Sequence, residues 1–182
     1  MKPDGKRQNI ILTALFTSLA VVLGYVMAAV PNVELMTLTV FLGGIFTGPR
    51  YGAVTGFLSI IIFSLFNPYG AALPPLLAAQ VAGFTVAGAA GGMMRGIIRR
   101  GGMMTAALSG FFITLFYDIL TTLASAYIAF GPENFMDGLI GFFAASGVFI
   151  LAHTGVNTLI FSQAVTAVTR VSFFDDAYNR IL

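Results

Sequence analysis

The chain has 182 residues, 58% of them hydrophobic and only 9% charged, where a soluble domain carries roughly a quarter charged residues. Nine Lys and Arg face seven Asp and Glu, a net charge of +2, and there is no cysteine. That composition excludes disulfides, thiolate metal sites and thiol catalysis. It argues against a nucleic-acid partner and points to a single all-α integral membrane domain.

Six apolar segments are predicted in chain order, at about 9–30, 35–47, 52–66, 71–94, 104–130 and 138–168. Lys6-Arg7 followed by an apolar run faintly resembles a signal peptide, but the run is too long and lacks a good cleavage pattern, so it is taken as the first helix. A perpendicular span needs about 20 residues. The second and third segments fall short of that and are expected to extend into their flanks; the sixth is long and should tilt or project. Turn signals separate them: Pro31-Asn32, Gly48-Pro49, Asn67-Pro68-Tyr69-Gly70 with Pro74-Pro75, Gly101-Gly102, and Gly131-Pro132.

The cations set the orientation. Lys2, Lys6 and Arg7 precede the first segment, and Arg50 lies between the second and third. Arg95, Arg99 and Arg100 lie between the fourth and fifth, and Arg170 and Arg180 follow the sixth. In a six-span arrangement all nine fall on one side, while Glu34, Glu133 and Asp137 occupy the other. By the positive-inside rule both termini are cytoplasmic.

Few residues can do chemistry. Asp118 sits mid-segment, where an unpaired carboxylate is costly, so it needs a partner. His153 and Asn157 share one helix face at i, i+4. Either these residues form a polar pocket or relay among the last three helices, or they form an interhelical clasp. Gln80 lies below the Pro-rich loop and is placed for ligand contact. One His with one Asp is not a metal-site pattern. Gly88 to Gly92 is expected to be a helix-packing surface rather than a phosphate cradle. On the first segment Thr13, Thr17, Ala20, Gly24 and Ala28 make one small-residue stripe, and Ala14 with Ser18 a neighbouring one. Two stripes exceed the needs of one tight contact, so a second helix partner is plausible. Asn32, Glu34, Asn67, Tyr69, Asn134 and Asp137 populate the cation-free loops, as ordinary solvated loop or as a stiff lid over a pocket.

The size, the six segments and the small-residue first helix resemble the substrate-binding S components of energy-coupling factor (ECF) transporters. So do Pro31-Asn32-Val33-Glu34-Leu35 with Thr37, Gly48-Pro49-Arg50-Tyr51-Gly52, and Asn67-Pro68-Tyr69-Gly70 with Pro74-Pro75. The resemblance implies a subunit of a bacterial or archaeal cytoplasmic membrane that captures a vitamin-like small molecule from outside. It implies no enzymatic activity, cofactor or metal; transport is powered by a transmembrane coupling protein and two cytoplasmic ATPases. It places Asn32, Glu34, Asn67, Tyr69, Gln80, Tyr127 and Asn134 near the ligand. Asp118, His153 and Asn157 become a pocket floor or clasp. Ala14 and Ser18 take the positions of the family's Ala-x-x-x-Ala docking motif, with Ser replacing the second Ala. The loop pattern is nearest to members that handle cobalamin or other large vitamins, although the cysteine one such subgroup places on cobalt is missing. The alternatives are a proton-coupled secondary carrier using Asp118 and His153, although no inverted repeat is visible, and a membrane enzyme.

Overall fold

A computed structural model describes residues 5–67 and 70–170; Lys2, Pro68, Tyr69 and Arg180 lie outside the described residues. The described chain is all-helical, with no strand. It comprises α1 (Gly5–Met27), α2 (Met36–Thr47), α3 (Pro49–Leu65) and α4 (Pro74–Thr169).

The run from Pro74 to Thr169 differs from the three separate helices expected. It is interrupted only where the backbone leaves helical geometry at Gly102 (φ 56°, ψ −139°) and Gly131 (φ 70°, ψ 170°). Both angles lie in the left-handed half of conformational space, which glycine enters without a Cβ penalty. A single glycine thus reverses the chain at each point, with no intervening loop. At the second reversal Pro132 follows immediately, its φ already suited to a first helical position. Contacts nest around each glycine. Met94 meets Ser109 and Phe84 meets Tyr117; Phe130 meets Phe142 and Asp118 meets His153. Nested pairs mean antiparallel neighbours, so α4 is three limbs, 74–101, 103–130 and 132–169.

The short segments also depart from expectation. α3 does extend, beginning at Pro49. α2 does not: it has 12 residues, about 18 Å of helix, well under the roughly 30 Å of a hydrocarbon core. Gly48 (φ 88°) stops it at one end. At the other, the Thr37 N–H donates to Glu34 Oε1 at 2.7 Å, satisfying one of the amides a helix start leaves open. All of α2 except Leu42 is buried, so it is the core of the bundle.

What surrounds α2 is mostly small. A Cβ at Gly44 or Gly52 would overlap the Gly88 carbonyl, one at Gly56 the Phe84 carbonyl, and one at Gly91 the Phe41 carbonyl. Backbone therefore meets backbone where α2, α3 and the first limb cross, the packing expected for Gly88 to Gly92. Phe41, Ile45, Ile60 and Phe161 fill the remaining core, Phe41 lying 5.3 Å from Phe161 between ring centroids.

Polarity is inverted relative to a water-soluble protein. Ile140, Val148 and Leu151 are 81%, 79% and 76% exposed, whereas Thr55, Ser59, Thr114, Asp118 and Asn157 are buried. Many helical hydroxyls fold back onto their own helix, as Thr47 does to the Gly43 carbonyl (2.7 Å) and Ser109 to the Thr105 carbonyl (2.6 Å). Such back-bonding hides a hydroxyl where water is scarce. By length and apolarity, Gly5–Met27 and Pro74–Thr169 could each cross a membrane.

Candidate functional site

A cavity of about 290 Å³ lies where the end of α1, the 28–36 segment, the end of α3 and all three limbs of α4 converge. Pro31 and Asn32 turn the chain into it. Asn32 adopts φ 60°, a left-handed conformation that asparagine tolerates better than most residues. The turn aims Glu34 back at the start of α2. Its Oε1 is held by Thr37 while Oε2 is buried without a hydrogen-bond partner. Asn32 Oδ1 is in the same state. Burial pushes the Glu34 carboxyl up from its ordinary value, and the hydrogen bonds from Thr37 pull it only part of the way back.

The walls are aromatic. Phe63, Phe84, Tyr117 and Phe149 line the cavity; Phe84 stands edge-on to Tyr117 (5.3 Å) and Phe149 lies against the His153 ring (5.4 Å). His153 closes the deep end and is fixed from behind. Its Nδ1 is 2.8 Å from Asp118 Oδ1, Thr154 Oγ1 donates to Asp118 Oδ2 at 3.3 Å, and Asn157 Nδ2 lies 3.2 Å from His153 Nε2. An amide N–H can only donate, so Nε2 accepts, Nδ1 holds the proton, and Nδ1–H donates to Asp118. The expected clasp is thus present, and its outward member is part of the pocket floor. Both ring nitrogens are occupied, so His153 presents ring surface to the cavity.

Removing the clasp acceptor should be costly, because it strands a buried donor. Asp118→Ala is expected to destabilise the protein by about 3 kcal/mol, roughly 6–12 °C in Tm at this chain length. Asp118→Asn keeps an acceptor for Nδ1–H and should lose less than half of that. Thermal unfolding in detergent measures both.

The other expected site residues divide. Gln80 and Asn67 line a second cavity of about 300 Å³ with Ser64, whose hydroxyl donates to Gln80 Oε1 at 2.8 Å. Gln80 thus sits beside Asn67 and the 70–73 stretch, and its side chain is also hydrogen-bonded to Tyr117, a wall of the first cavity. Tyr127 is 42% exposed and packs on Phe135, and Asn134 is exposed; neither lines the first cavity. The single-glycine reversal at Gly131 places both on the outer surface of the turn. Tyr69 lies outside the described residues. The sequence reading missed Phe63, Phe84 and Phe149 as walls and Thr154 as a clasp member. Phe149 was within reach, one turn before His153 on the same face; the others are ordinary apolar or hydroxyl residues on their helices.

On the opposite part of the bundle, Ile10, Thr13, Ala14, Thr17, Ser18, Tyr51, Val54 and Leu58 line a shallow apolar groove of about 420 Å³ between α1 and α3. Ala14 and Ser18 are exposed in it. Among the described residues, no three His, Asp or Glu side chains could share a metal ion. Compared with protein-family models, curated proteins and solved structures, the chain matches none.

Proposed function

We propose that this chain is a membrane-embedded substrate-binding subunit, of the kind that serves as the S component of an ECF-type importer. It captures a small vitamin-like molecule in the 290 Å³ cavity. The observation that supports this most is the cavity itself, which holds two unpaired acceptors at the end of the bundle that contains none of the described cations. Lys6, Arg7, Arg50, Arg95, Arg99, Arg100 and Arg170 all lie nearer the other end, at the starts of α1 and α3, in the last two turns before the first reversal and at the end of α4. With the three limbs of α4 counted singly, six apolar helical stretches and that charge segregation favour six spans with both termini cytoplasmic. The cavity then faces outward. The outward-facing Ile, Val and Leu of the last limb favour lipid as their neighbour.

In this reading the groove on α1 receives the transmembrane coupling protein, which two cytoplasmic ATPases drive. Ser18 serves where an alanine is usual because its hydroxyl donates to the Ala14 carbonyl at 2.9 Å. The donor is used within α1, and the side chain offers a partner little more than its methylene. The cavity is at the lower limit of small-molecule pockets, about 300–1,000 Å³, which favours a compact ligand over cobalamin.

The alternative carrier reading needs a proton path through Asp118 and His153. The chain of hydrogen bonds ends at the Asn157 amide, which does not relay protons, so the network favours a fixed clasp. Reconstitution separates the two. Uptake into liposomes should require the coupling module and ATP. Accumulation by the chain alone under a pH gradient, lost in Asp118→Asn, would establish the carrier instead.

A further inference from the structure

We infer that the cavity selects a small, flat, positively charged ligand, such as a protonated aromatic amine or amidine, held between Glu34 Oε2 and the faces of Phe84, Tyr117 and Phe149. This deepens the proposed function, resting on the reading of the cavity as the ligand cup.

The lining contains no Lys or Arg. Its two polar atoms without partners, Glu34 Oε2 and Asn32 Oδ1, are both acceptors. Buried acceptors left open are expensive unless a donor arrives, and an anion would meet the Glu34 carboxyl with no cationic side chain beside it, only the neutral donors of the Asn32 amide and the Tyr117 hydroxyl. His153, the remaining polar side chain of the floor, has committed both nitrogens to Asp118 and Asn157. A neutral, donor-poor ring would fill the volume and leave both oxygens stranded. A cation supplies donors and charge together. The aromatic rings that line the cavity reinforce that choice, since the face of an aromatic ring attracts positive charge most strongly where water is excluded. Glu34 is also pre-aligned: Oε1 is anchored to the Thr37 amide at 2.7 Å, so its free oxygen needs little further ordering on binding.

The titratable groups facing the ligand are Glu34, Tyr117 on the second limb and His153 on the third, with Asp118 behind His153; the lining residues of α1, α3 and the first limb contribute none. Because burial raises the Glu34 carboxyl, the empty cup holds it neutral to higher pH than an exposed glutamate. Below that raised value the cation meets a neutral acid; above it, a carboxylate. Affinity for a cation therefore climbs with pH until Glu34 is ionised and then levels.

Three probes of one size and shape test this: benzamidinium, benzamide and benzoate, titrated against the purified full chain by ligand-observed NMR. The expected result is that benzamidinium binds at least tenfold more tightly than benzamide, while benzoate does not compete. In Glu34→Gln the preference for benzamidinium over benzamide should fall at least tenfold and the pH dependence of benzamidinium binding should flatten. Equal or tighter binding of benzamide or benzoate would overturn the charge selectivity and leave the transport reading standing. No binding of any probe at millimolar concentration would overturn both. Cation-selective binding without uptake of the natural ligand, when the coupling module is present, would overturn the transport reading alone.

Discussion

Gly88→Ala should leave little folded protein, although it adds a single methyl group and replaces the poorer helix former with the better one. A Cβ at Gly88 would overlap the Gly52 carbonyl oxygen and press on Val40. The obstacle is main chain, which cannot rotate away as a side chain would. α3 must therefore move off the first limb, and Gly44 and Gly52, which touch the same Gly88 carbonyl, lose their contact too. Overpacking of this kind costs about 1–3 kcal/mol where side chains can adjust. Here the expected loss is at least about 3 kcal/mol, net of the roughly 1 kcal/mol of helix propensity that alanine returns. In Tm that is roughly 6–12 °C or more, read by thermal unfolding and by yield of monodisperse protein. The controls are Gly141→Ala and Gly155→Ala. Both residues are helical with nothing within 4 Å of an added Cβ, so both should be neutral or slightly stabilising. If Gly88→Ala behaved like these two, the close crossing of α2, α3 and the first limb would be wrong.

The same inversion explains what could be read from the residue string. Helical class, segment positions and the need for a partner at Asp118 were legible, because each follows from a strong energetic rule that acts locally. Asp118 and His153 were recognisable as a pair because two ionisable groups within apolar helices have few other ways to be satisfied. The helix count was harder. Gly101-Gly102 and Gly131-Pro132 read as breaks between helices, yet one residue with positive φ suffices at each, and helical hydrogen bonding resumes at once. The shortness of α2 looked like a boundary error, because a span was expected to reach across lipid. A helix enclosed by its neighbours has no such obligation. The cavity residues were legible only in part. Asn32 and Glu34 stood out as acceptors next to a proline turn. Tyr127 and Asn134 stood out for the same polar character but lie outside the cavity, since a residue string does not show towards which side a reversal turns them. The aromatic walls were hidden among 18 phenylalanines, most of which could equally have met lipid or core.

If the chain is the proposed substrate-binding subunit, Ala14→Trp should abolish uptake while leaving ligand affinity unchanged within about twofold. The groove between α1 and α3 has a floor made of Thr13 and Thr17, both buried, and a rim made of Ile10, Tyr51, Val54 and Leu58. Ala14 and Ser18 are the exposed positions on α1 where a second helix could come close, because neither side chain projects far. In lipid there is no hydrophobic gain from bringing two apolar helices together; dispersion contact at short range has to supply the attraction. An indole at position 14 fills the groove and holds a partner helix several ångströms away, where dispersion energy is lost steeply. The cavity is spared because its lining begins at Gly24, almost three turns further along α1. Leu151→Trp is the matched control. That residue is 76% exposed on the last limb, outside both the groove and the cavity, and its replacement should transport at the wild-type rate. The measurement is ATP-dependent uptake by the reconstituted complex, with binding measured on the purified subunit. Normal uptake in Ala14→Trp would remove α1 as the coupling face. Loss of binding and uptake together would mean that the groove and the cavity are not separate structures, and the division into a cup at one end and a docking surface at the other would fail.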